Sequence, residues 1–122
     1  MTDGRIPFAD SISLRIARPF LGRRVALVID RPLGSRHPRC GFRYTVNYGF
    51  VPGTSAPDGC ELDAYLLGVG EAVARGEGVC VAIVHRFFDD DDKLIVVSEG
   101  VEAPDDAAIL AAVASRRRQG ST

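Results

Sequence analysis

The sequence predicts a mainly β domain: a small, largely antiparallel barrel or sheet with one helix packed on it. Three observations lead there. Short β-branched and aromatic runs recur along the chain, each closed by Gly, Pro or Asp. A full set of helix signals occurs once, near the C-terminus. The chain has 122 residues, which is room for one hydrophobic core and rarely for two, so residues 1–122 are read as a single domain.

Residues 1–24 are weakly patterned: "SISLRIARPFLG" is compatible with a strand and turn, and "RPFLGRR" with a connector. "RVALVID" (24–30) is the clearest strand, stopped by Pro32 and Gly34. "RYTVNYGFVPG" (43–53) reads as strand with Gly49 as a bend or bulge, and "TSAPDG" as a turn. "LDAYLLG" could be strand or a short helical turn, with strand favoured. "GEAVARGEG" reads as a loop. "VCVAIVHRF" (79–87) is a nearly continuous apolar strand, which implies cover on both faces. "DDDDK" then reads as a hairpin-like loop and "KLIVVS" as the next strand. In "APDDAAILAAVASRRRQG" a proline and two aspartates open a helix, alanines and Leu110 form its apolar stripe, and arginines and Gly120 close it.

Composition excludes several classes of function. A formal net charge of -1 gives no general attraction for nucleic acid or an anionic membrane. An oligonucleotide-binding barrel would want a basic groove interleaved with stacking aromatics, against which the acidic loops and the absence of Trp both argue. No apolar stretch approaches the ~20 residues that span a bilayer. Cys40, Cys60 and Cys80 lack metal-ligand spacing, and with no secretory signal they read as free thiols in a reducing, cytoplasmic setting.

Two loops concentrate negative charge: "DGCELD" at 58–63 and "DDDDK" at 89–93, the latter ending on the only lysine beside fourteen arginines. Hard cations such as Mg²⁺ take oxygen ligands, a few carboxylates with waters and phosphate oxygens. A lysine beside them supplies a point charge for a phosphate. By themselves these stretches have plainer readings. An aspartate run between strands is most simply a solvated turn, "DG" a turn dipeptide, Asp30 a turn former, Tyr48 half-buried packing, His85 structural or exposed, His37 a loop residue, and Cys60 a buried thiol. Residue types and spacing reach a divalent-cation site and go no further.

Taken together, "VIDRP", "YTVNYGFVPGTSAPDGCELDAYLLG" and "HRFFDDDDKLIVV" resemble the soluble family I inorganic pyrophosphatases over residues 25–97. That family has a YPxNYGY strand, a DxDPxDV signature about ten residues later, and an acidic loop ending in DxK. The resemblance implies an OB-like five-stranded β-barrel with helices outside it, and Mg²⁺-dependent hydrolysis of pyrophosphate to two phosphates. It further implies that Asp58, Asp63 and Asp91 ligate metal, with Asp89 in the same loop and Asp30 in place of an early glutamate. Lys93 would bind a phosphate oxygen and Tyr48 would donate its hydroxyl. The family's habit of assembling suggests a homo-oligomer.

Three departures stand beside the resemblance. Cys60 takes the place of the signature's middle aspartate, and soft sulfur is a poor ligand for Mg²⁺. "RPLGSRHPRCGFR" replaces a strand hairpin that carries a phosphate-binding lysine and arginine. Arg31, Arg36, Arg39 or Arg43 could take over, with Arg36 as the candidate substrate ligand. The C-terminal Tyr-Lys pair has no counterpart. The alternative function is therefore a catalytically impaired relative that binds metal or phosphate or serves in interaction.

Overall fold

The computed structural model of the chain describes residues 12–55, 59–86 and 91–112. Helix α1 (Ile12–Ala17) runs into a 3₁₀ turn (Arg18–Phe20) and then strand β1 (Arg24–Arg31). There follow β2 (Asn47–Val51), β3 (Leu62–Leu67), β4 (Arg75–Arg86), β5 (Asp91–Ser98) and a second helix, α2, over 106–112. The five strands close into a barrel in the order β1-β2-β3-β5-β4. Neighbours are antiparallel except β3 and β5, which run parallel with Ala64 opposite Leu94. The expected mainly β fold is thus a closed, OB-like barrel.

Alternation sorts the side chains onto two sides of the sheet. Val25, Leu27, Ile29, Val51, Leu62, Ala64, Leu66, Cys80, Leu94 and Val96 come from all five strands and fill the interior. The residues between them on β2, β3 and β5 (Tyr48, Tyr65, Leu67, Ile95 and Val97) form a second core on the outer face, closed by Phe42, Tyr44 and Ile109. This second core explains why "LDAYLL" is apolar almost throughout: it is covered on both sides. β4 is covered on both sides less completely, with Ile83 packing inward and Val81, Ala82 and Val84 outward.

Three local expectations need correction. Residues 12–17 are helical, although Ile12, Leu14 and Ile16 alternate as in a strand; Ala17 is fully buried in the barrel interior, with Ile16 and Phe20 against it. "GEAVARGEG" is half strand, because β4 begins at Arg75. Its glycines reflect crowding: a Cβ on Gly76 would press into the Leu66 side chain, and one on Gly78 into the Val97 carbonyl. In α2 the apolar anchor is Ile109, while Leu110 is exposed; Asp105 caps the helix, accepting the Ala108 amide through Oδ1 at 2.8 Å. The rest of the predicted C-terminal helix lies outside the described residues.

The segment between β1 and β2 also retains a hairpin in miniature. Gly34 donates to Tyr44, Tyr44 to Ser35 and His37 to Phe42 through their backbones, and Arg36 bridges Arg43. Among the described residues no helix is long and apolar enough to cross a membrane.

Candidate active site

Strand register brings three polar side chains together on the outer face. β3 and β5 are parallel with Ala64 opposite Leu94, so Asp63 and Lys93 stand level one step earlier. Across β3's other edge, Phe50 lies opposite Asp63 and Tyr48 opposite Tyr65. The Lys93 side chain thus extends from β5 over β3 toward β2. Its Nζ donates to Tyr48 Oη at 3.0 Å and to Asp63 Oδ2 at 3.1 Å. The lysine side chain is only 6% exposed, the aspartate's 37%. An ammonium so far out of water needs a charged and hydrogen-bonding environment, which these groups provide.

Tyr48 is fixed by its ring as well as its hydroxyl. It stacks on Tyr44 with centroids 5.6 Å apart and planes 15° from parallel, and meets Tyr65 at 4.9 Å. The row continues through Phe42 to His37, at 5.1 and 4.8 Å. Burial pushes the Tyr48 hydroxyl's pKa well above the ordinary tyrosine value, and the neighbouring Lys93 charge offsets only part of that. His37 accepts the amides of Arg39 and Cys40 on Nδ1 at 3.1 and 3.0 Å, which makes it a structural residue of the hairpin tip.

Arg36 is placed differently. His37, Phe42 and Tyr44 turn one face of the hairpin toward the aromatic row, and Arg36 and Arg43 are out of phase with them and exposed. Arg36 donates to Gly41 O at 3.2 Å and Arg43 to Gly34 O at 2.9 Å, each bracing the opposite arm.

The acidic residues are placed unevenly. Asp58 and Asp89 lie outside the described residues. Asp91 opens β5, its backbone opposite Arg86 and two positions before Lys93. Asp92 is out of phase with Lys93 and only 2% exposed. Asp30 is the extra residue of a β-bulge, between the pairs Ile29 with Gly49 and Arg31 with Tyr48, and it is exposed. The expected irregularity at Gly49 is therefore on the partner strand. Among the described residues no group of three or more His, Cys, Asp or Glu is placed to hold a metal ion. Cys60 is exposed rather than buried.

Asn47 is a residue the sequence reading passed over. Fully buried, it accepts the Leu33 and Val73 amides on Oδ1 at 2.9 and 3.3 Å and donates Nδ2 to Glu71 O at 2.9 Å. It thereby ties the loop after β1 to the loop before β4 and sets the start of β2, one residue before Tyr48. Its signal was its place between Val46 and Tyr48, where a buried amide in an apolar strand calls for backbone partners.

No family model matches the chain, and no curated protein matches it. Solved structures of inorganic pyrophosphatases do. That from Coxiella burnetii superposes with a TM-score of 0.57 at 22% identity, covering 75% of this chain and 73% of that one. The Ehrlichia chaffeensis structure gives 0.55 at 21%, over 64% and 62%. The Neisseria gonorrhoeae structure gives 0.53 at 25%, over 71% and 60%. The barrel is the pyrophosphatase fold. The chain spans less than two thirds of the length of the Ehrlichia and Neisseria proteins.

Proposed function

We propose that the chain hydrolyses inorganic pyrophosphate to two phosphates with the help of a divalent cation, Mg²⁺. The observation that carries this reading is the buried Lys93 ammonium held between Tyr48 and Asp63, on a barrel of the pyrophosphatase fold. Water supplies the oxygen for a new P–O bond, one bridging P–O bond breaks, and the water's protons end on the two phosphates. Lys93 pairs with a phosphate oxygen. Tyr48, kept protonated by its burial, donates its hydroxyl to another.

Asp63 fits a hard cation in kind: it is an oxygen donor, one-third open to solvent and fixed in place by its strand. With Asp58, Asp91, Asp89 and Asp30 it would form the ligand set. A bound Mg²⁺ would make water a stronger nucleophile and screen the charge of the phosphates. Arg36 belongs to this reading only as a more distant charge for the incoming anion, given its bond to Gly41.

An exposed Cys60 where the resemblance places a carboxylate favours a second reading, a barrel that binds metal or phosphate without turnover. Phosphate release from pyrophosphate separates the two. Metal-dependent turnover in the parent chain, lost in Asp63→Asn, is the expected result. No release with Mg²⁺ by a folded parent chain would leave the binding-module reading.

A further inference from the structure

Lys93 and Asp63 occupy each other. Nζ lies 3.1 Å from Oδ2, and the lysine side chain is almost wholly enclosed. Under the reading above, which this inference rests on, the two groups receive guests of opposite sign: a divalent cation at Asp63 and a phosphate oxygen at Lys93. Each guest then meets the other's residue as an obstacle. A dication on the Asp63 carboxylate stands beside an ammonium and is repelled by it. An oxyanion approaching Lys93 meets the Asp63 carboxylate, which already neutralises the ammonium.

We propose that the Lys93–Asp63 pair is a latch that makes binding of cation and oxyanion interdependent. A cation that takes Asp63 releases Lys93 from its carboxylate. The ammonium then keeps Tyr48 Oη, 3.0 Å away, as an anchor that holds it aimed at the site rather than lost to solvent. Occupancy of either group frees the other from their mutual ion pair, so the coupling is positive and, by linkage, reciprocal. The latch favours substrate and metal together over either alone, and spares the site from filling with stray anions.

Lys93 is the only lysine in the chain, which gives a direct reporter. In protein carrying isotope-labelled lysine, the side-chain amine gives one assignable resonance. Mg²⁺ added without any oxyanion should shift that resonance in step with metal binding followed by calorimetry. In Asp63→Asn the resonance should start displaced and ignore Mg²⁺. The same variant, in chelator, should bind methylenediphosphonate at least about fivefold more tightly than the parent, within the usual 5–150-fold range of site-to-site coupling. Calorimetric Mg²⁺ binding that leaves the Lys93 resonance unmoved would overturn the latch and leave the proposed metal site standing. Absence of any Mg²⁺ binding by the parent would overturn both.

Discussion

Gly49 of β2 lies so close to Val28 of β1 that a Cβ at position 49 would collide with the Val28 carbonyl oxygen. The approach comes just before the Asp30 bulge, where β1 and β2 shift register and Tyr48 falls opposite Arg31. The glycine therefore belongs to the geometry that aims Tyr48. Gly49→Ala should destabilise the chain by about 1–3 kcal/mol, the usual cost of forcing extra volume against packed structure. A urea midpoint equal to that of the parent would contradict the close approach.

Asn47 predicts a different kind of loss. Asn47→Ala removes one acceptor and leaves the half-buried Leu33 and Val73 amides without it, at about 1–3 kcal/mol in all. Hydrogen exchange locates the effect: those two amides should lose protection beyond the global change. Uniform loss across the barrel would mean that Asn47 is packing and not a staple.

Legibility differed from element to element, for physical reasons. "RVALVID" and "LDAYLL" could be read because β-branched and aromatic content and alternation are local properties of a strand. The start of α2 could be read because a cap is a local motif. The parallel pairing of β3 with β5 could not, since nothing in either strand names its neighbour, and that pairing alone sets Lys93 level with Asp63. Both residues were singled out by motif, but their contact joins positions 30 apart in sequence and was not foreseen. α1 was misread because six residues of alternating apolar character fit a strand as well as a helix that sends one alanine into a barrel. Arg36 was legible as charge only; its outward phase depends on a hairpin too short to leave a strand signature.

The thiols offer a simple check on the placement of Cys60. Cys40 and Cys60 are exposed, and Cys80 is wholly enclosed in the barrel interior, where burial also raises its pKa. A thiol reagent such as a disulfide dye should modify Cys40 and Cys60 in the native chain and reach Cys80 only on unfolding. Protection of Cys60 in the native chain, read by peptide mapping, would return it to the interior.

Tyr48 supplies a prediction in pH. Its folded pKa is raised by burial, so the folded chain holds this proton more tightly than the unfolded chain does. The resulting contribution to stability is fully present below the unfolded value of about 10 and is lost as pH climbs from there toward the folded value. In that window stability should fall by about 1.4 kcal/mol per pH unit from this one group. Tyr48→Phe keeps the ring stack and lacks the proton, so its stability should decline less steeply over the same range. The native absorbance titration at 295 nm, taken as parent minus Tyr48→Phe, should be flat through pH 10. A full tyrosinate step at that pH would show a solvated hydroxyl, and Tyr48 would then not be the enclosed partner of Lys93.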